Sequence, residues 1–217
     1  MKTKKLRIIH LSDIHYSEKE KYKIDKYILN PLIQKLKKET SSIKADLLCI
    51  TGDLIDKGGI DSENVETAFL SCYEDFISPI AEQLSINKEN IIICPGNHDI
   101  SKKEDSKRAE ESLRSEFSSL EIVNNYIQEQ SNNESPEDHH RIMPFKKFEK
   151  DFYKGVNNSN ITLFSSAHKR TINGLKIGIN CINSVWRYYD DDSTLFIGKT
   201  QLENEYVNFL ASVISFC

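Results

Sequence analysis

Three short stretches of the chain hold residue types that bind divalent cations. Asp13 and His15 stand in "HLSDIHYS", Asp53 in "TGDLID", and Asn97, His98 and Asp99 in "PGNHD". Their donors are carboxylate and amide oxygens and imidazole nitrogens, a mixture that suits manganese, iron, zinc or a similar divalent ion. A carboxylate can bridge two such cations, and a water or hydroxide held between them becomes a nucleophile near neutral pH. Asp53 comes from the middle stretch and is the natural bridging candidate. Gly52 and Gly96 let backbone approach closely where a Cβ would crowd the site. One stretch alone carries little, since Asp13 could equally cap the following helix and His15 could be an ordinary loop side chain. The elements that deliver the three stretches have to decide.

Each stretch ends an apolar run: "LRIIHLSD" (6–13), "ADLLCITGD" (45–53) and "NIIICPGNHD" (90–99). The runs are short, rich in Ile or Leu and without strict alternation, as expected of strands covered on both faces. Helical patterns separate them. Residues 24–36 place Ile24, Tyr27, Ile28, Leu32 and Leu36 at helix spacing, with Pro31 predicting a kink or break. Residues 62–84 place Val65, Phe69, Cys72, Phe76 and Ile80 on one stripe. Strands alternating with helices imply a parallel sheet, and in such sheets ligands bind at the carboxyl ends of the strands.

Residues 101–160 read as a polar helical insert outside the core sheet, with an exposed charged helix in "SKKEDSKRAEESLRSEF" and a loop-like "EQSNNESPEDHH". After it, "ITLFSSAHKRTINGLKIGINCINS" predicts two strands joined at Asn173-Gly174, a hairpin signal. The last stretch places Leu202, Tyr206, Phe209 and Val213 on a helical face. The fold class is thus α/β, and residues 1–217 form one domain that includes the insert.

The 217 residues are 38% hydrophobic and 29% charged, with a net charge of −4. No overall basic field points to nucleic acid or to an anionic membrane, and no apolar run approaches the length of a membrane span. The basic "MKTKK" is followed by a short, quickly polar stretch unlike a signal-peptide core, so a cytoplasmic protein is expected. The five cysteines form no C-x-x-C pair; Cys49, Cys94 and Cys181 lie in apolar runs and are expected as buried reduced thiols.

"DIH", "GDLID" and "GNHD", in this order and each ending a strand, resemble the calcineurin-like metallophosphoesterase family, whose pattern runs D-x-H, G-D, G-N-H-D/E, a lone H and G-H-x-H. The resemblance implies a layered β-sandwich flanked by helices. It implies a dinuclear centre of two divalent ions, and hydrolysis of a phosphate mono- or diester by a metal-bound hydroxide. The substrate would be a phosphate ester, with nucleotides and nucleic acid among the classes covered. Carried over by position, Asp13 and His15 bind one ion, Asp53 bridges both, and Asn97 binds the second. His98 acts at the leaving group, and Asp99 holds His98 and favours its protonated form.

The chain departs from that pattern downstream. No histidine follows His168, and no G-H-x-H occurs. His168 is expected as an exposed turn residue, His139 and His140 as part of the insert, and His10 as a core or backbone-bonding histidine. Two explanations stand, an N-terminal part of a longer enzyme or a natural truncation, and the first is favoured. A partner would then be the missing C-terminal portion or a further fused domain. Six groups hold and work the metals, so the chain as given is expected to hydrolyse phosphate esters poorly. The rival reading is a catalytically impaired binding module, or an effector domain of a larger regulatory or defence protein. Arg187, with Trp186, Tyr188 and Tyr189, lines the substrate cleft in one reading and packs on the sheet edge in the other. Asp190, Asp191 and Asp192 read as a solvated acidic turn.

Overall fold

A computed structural model describes residues 5–62, 64–101, 107–131, 141–189, 195–202 and 213–216. Three parallel strands, β1 (Ile8–Leu11), β2 (Leu47–Thr51) and β3 (Ile91–Cys94), lie side by side in that order. Alternate residues of β2 and β3 enter two separate cores. Leu48, Ile50, Ile91 and Ile93 pack against the helices, whereas Leu47, Cys49, Ile92 and Cys94 pack against a second sheet. This two-sided burial is why the runs lack alternation.

The second sheet runs β4 (Ser159–Ile161), β5 (Ser165–Ile172), β6 (Leu175–Ile182) and β7 (Val213–Phe216). β5 and β6 form the expected hairpin. Asn173 and Gly174 both take positive φ (53° and 72°), the geometry of the tight turn that Asn-Gly favours. Ile172, Ile177, Ile179 and Cys181 meet β2 and β3 across the sandwich. The architecture is the expected α/β one, a helical layer on one face of the parallel sheet and a second sheet on the other.

Both crossovers contain a proline, and neither is broken by it. α1 (Lys21–Ile24) runs through a π-turn, Asp25–Leu29, into α2 (Asn30–Glu39). α3 (Val65–Cys72) runs through Tyr73–Ile77 into α4 (Ser78–Leu84). The N–H of Asn30 reaches back to Asp25 O and that of Ser78 to Tyr73 O. Each wide turn ends just before Pro31 or Pro79. It relieves the clash between the proline ring and the carbonyl four residues back, so the helix continues. The extra residue also shifts the phase. The expected stripe therefore fails in the first helix, where Tyr27 and Ile28 are exposed and Leu29 is buried instead. In the second helix all five expected residues are buried.

The insert also needs division. α5 (Lys107–Glu116) presents exposed charged residues, as expected, but α6 (Leu120–Gln130) buries Val123 and Ile127. α7 (Met143–Phe152) belongs to the core. Its Phe145 and Phe148 contact Phe69 of α3, and the hydroxyl of Tyr153 just beyond it accepts the Ile93 N–H and donates to Ile91 O, each at 3.0 Å. Tyr153 thus caps two backbone groups on the open edge of β3. The edge strand β4 begins inside the range assigned to the insert, where no strand was expected.

Two further expectations are corrected. Val213 lies in a strand paired parallel with β6, not on a helix, and Leu202 is exposed at the end of the short α8 (Lys199–Leu202). Tyr206 and Phe209 lie outside the described residues, as do His139, His140 and Asp190–Asp192. Cys49, Cys72, Cys94 and Cys181 are free and buried. No helix among the described residues is long and apolar enough to cross a membrane.

Candidate metal centre

The loops that leave β1, β2 and β3 at their carboxyl ends are tied to one another through backbone. Asp13 N–H donates to Gly52 O at 3.2 Å, His15 N–H to Asp53 O at 2.9 Å, and Gly52 N–H to Cys94 O at 2.8 Å. These bonds force tight turns, and Asp13, His15 and Asp53 all take positive φ, at 54°, 47° and 55°. Left-handed backbone at a non-glycine residue costs on the order of 1–3 kcal/mol and concentrates at functional sites. Gly52 (φ 83°) and Gly96 lie against each other. A Cβ on Gly96 would stand 2.3 Å from Asp53 Oδ1 and 2.7 Å from the Gly52 Cα, so the close approach expected of these glycines is realised.

Two sets of donors result. One atom each from Asp13, His15 and Asp53 lie within 4.8 Å of one another, and so do atoms of His15, Asp56 and His98. His15 joins the sets, with Nε2 3.8 Å from Asp53 Oδ2 and Nδ1 3.8 Å from Asp56 Oδ1. The His15 and His98 rings meet edge to face with centroids 4.5 Å apart. Asp53 Oδ1 accepts the His98 N–H at 2.8 Å, which ties the second loop to the third. Asn97 is half-buried and opens the short turn Asn97–Asp99.

Asp99 is fully buried, and its bonds go to backbone rather than to His98. Oδ1 accepts the N–H groups of Leu54 and Ile55, and Oδ2 accepts that of Gly96. Burial pushes its carboxyl up to about 7, although the three N–H groups favour the charged form. The carboxylate that does face His98 is Asp56, with Oδ1 3.6 Å from Nδ1. The same Nδ1 accepts the Lys57 N–H at 3.2 Å. Asp56 was not singled out in the sequence, although it stands in "GDLID" three residues after Asp53. It takes the place beside His98 that Asp99 was expected to fill.

The donor set fits a divalent ion of borderline hardness, with two imidazoles and three carboxylates converging on a partly exposed face. No cysteine among the described residues belongs to either set. Burial pushes the Cys49 thiol up to about 12 and that of Cys72 well above its usual range, and a hydrogen bond with Cys94, together with burial, does the same to Cys181.

The other candidates lie elsewhere. His168 is buried in β5, against expectation, with Nδ1 2.9 Å from Ser159 Oγ. His10 is exposed, and its Nε2 is 2.6 Å from Thr51 Oγ1, so it is neither core nor backbone-bonded through that atom. Arg187 is buried beside the Tyr126 and Trp186 rings and donates to the Tyr126 hydroxyl at 3.0 Å. These are packing contacts with α6 and Trp186.

No solved structure is significantly similar to the chain. The uncharacterized metallophosphoesterase-like protein YydB of Bacillus subtilis (strain 168) is 30% identical over 101 residues. That match spans 45% of this chain and 18% of the length of YydB. The pattern of the calcineurin-like phosphoesterase family matches residues 6–195, from the first strand through the hairpin of the second sheet. The chain belongs to the calcineurin-like phosphoesterase family.

Proposed function

We propose that this chain is a divalent-metal-dependent phosphoesterase acting on a phosphate mono- or diester, with Asp13, His15, Asp53 and Asn97 holding two ions. The observation that carries the reading is the convergence of donors from separate strand ends to within 4.8 Å, with His15 common to both sets. Divalent ions bound there supply a water of lowered pKa and a counter-charge for the phosphoryl oxygens. Asp53 fixes the relation between the second and third loops, one oxygen on the His98 N–H and the other toward His15. Because His98 Nδ1 accepts the Lys57 N–H, the neutral ring carries its proton on Nε2, where it can donate a hydrogen bond to a phosphoryl or leaving oxygen. Asp56 stands by the Nδ1 of His15 while Asp53 stands by its Nε2, the side from which a carboxylate orients a ligating imidazole.

The test is calorimetric titration of the full chain with manganese, together with turnover of an aryl phosphodiester, in the wild type and in Asp53→Asn. Saturable manganese binding and slow metal-dependent turnover are expected, each falling at least tenfold in the variant. Manganese binding or turnover that is unchanged in Asp53→Asn would overturn the reading.

A further inference from the structure

One cavity of the described structure lies away from the candidate metal centre. It occupies about 410 Å³ at the opposite end of β3, where Glu89 and Asn90 lead into the strand. The rest of its wall comes from the loop at Asn157 and Asn158 and from the β5–β6 hairpin. This volume lies within the range of small-ligand pockets, about 300–1,000 Å³.

The charge of its wall runs against that of the chain. Lys169, Arg170 and Lys176 face one carboxylate, Glu89, a local balance of three positive charges to one negative on a protein of net charge −4. Lys169 and Lys176 lie on one face of the hairpin. Thr171 pairs with Lys176 across the strands, and Lys169 is two residues before Thr171, which makes the two lysines diagonal neighbours. Arg170 also lines the cavity, from the other face of the strand. It is buried, and its guanidinium donates to the carbonyls of Glu89, Asn157, Asn158 and Lys169. The carbonyls of both loops are thereby turned onto a fixed cation.

The backbone adds a donor. Lys169 N–H donates across to Asn158 O, one residue before β4 begins. In an antiparallel ladder the amide two residues on points to the same side. The Thr171 N–H therefore points past the end of β4, into the space that Asn157 and Thr171 both line.

We infer that this cavity is a binding site for a small phosphate-bearing anion, held between Lys169 and Lys176 against Arg170 and the Thr171 amide. Ammonium groups, a fixed guanidinium and a backbone N–H are complementary to phosphate oxygens. The site is separate from the metal centre and does not depend on the proposed activity.

The test uses the full chain in EDTA, so that no metal site competes, with inorganic phosphate, pyrophosphate and AMP as calorimetric titrants. Pyrophosphate is expected to bind saturably and more tightly than phosphate, and AMP binding would assign the site to a nucleotide. Lys169→Glu and Lys176→Glu are each expected to weaken pyrophosphate binding at least tenfold, and Asp53→Asn to leave it unchanged. Lys176→Gln serves as a milder second variant, and the unfolding temperature of each checks that the fold is retained. Absence of saturable pyrophosphate binding would overturn the inference. So would binding that survives both lysine variants, or binding that is lost in Asp53→Asn.

Discussion

Asp53 and His98 are joined by a bond that spans 45 residues of sequence, from the His98 backbone N–H to Asp53 Oδ1 at 2.8 Å. The bond is possible because Gly96 has no side chain, and so its Cα can sit against the Asp53 carboxylate. In Gly96→Ala the new Cβ would meet Asp53 Oδ1 at 2.3 Å and Asp53 N at 2.5 Å, and both are fixed by the loop. The φ at Gly96 is −115°, so the penalty is crowding and not backbone strain. A destabilisation of about 1–3 kcal/mol is expected, as for overpacking elsewhere. Manganese affinity should fall with it, since Asp53 must move. Urea denaturation and calorimetry measure the two effects, and an unchanged manganese affinity would contradict the account.

Asp99 acts as a clamp between the second and third loops. Asp99→Ala would leave the Leu54, Ile55 and Gly96 N–H groups without their acceptor. An unsatisfied buried donor costs about 1–3 kcal/mol. The loss should therefore exceed about 3 kcal/mol, in the range that only a few mechanisms reach. Asp99→Asn keeps one acceptor oxygen and should lose less. If the two variants are equally stable in urea, the clamp is not what the carboxylate provides.

Asp56 should behave differently. It is only partly buried, faces the Nδ1 of both His15 and His98, and so acts as a positioning residue. Asp56→Ala is expected to change stability by less than about 1 kcal/mol, as surface substitutions do. Turnover should fall about 10²-fold, the lower end of general acid–base contributions. The loss should fall on kcat more than on KM, and Asp56→Glu should recover part of it. A loss confined to KM would assign Asp56 to substrate binding.

The site was legible where residue type and strand end coincide. Asp13, His15, Asp53 and His98 each follow an apolar run, and two-sided burial made those runs recognisable. Asp56 was harder to see because it owes its place to a contact between loops. Ile55 bridges Tyr16, and Asp56 N–H donates to Tyr16 O, which turns the carboxylate toward His15 and His98. The stripe in the first helix misplaced Tyr27 and Ile28 because a π-turn adds a residue that a 3.6-residue period does not contain. α7 was hidden among polar neighbours, although Phe145, Phe148 and Phe152 stand at helical spacing. Asp99 was assigned to His98 from motif position, whereas its burial commits it to backbone donors.

His168 was read as a turn residue, and its burial makes a prediction about pH. Its ring lies against Tyr153, Nδ1 pairs with Ser159 Oγ, and Nε2 finds no hydrogen-bond partner among the described residues. Arg170 on the same strand and Lys146 on α7 both disfavour a charge on the ring, while Glu149 is engaged by Lys146 and Ser166. Burial first, then these two cations, push the imidazole from 6.5 down to about 3. A base whose pKa is lowered by folding contributes stability that is present above the unfolded value. That stability is lost as pH falls, because only the unfolded chain takes up the proton. The slope should approach about 1.4 kcal/mol per pH unit between the two values. His168→Gln removes the titrating group while keeping polar atoms near Ser159. Urea unfolding at pH 7, 6 and 5 should show the wild type losing stability faster than the variant, with the gap opening below about pH 6.5. Carboxylates titrate in both proteins, so the difference between them isolates His168. Parallel pH profiles would mean that the imidazole reaches solvent or a counter-ion in the folded protein.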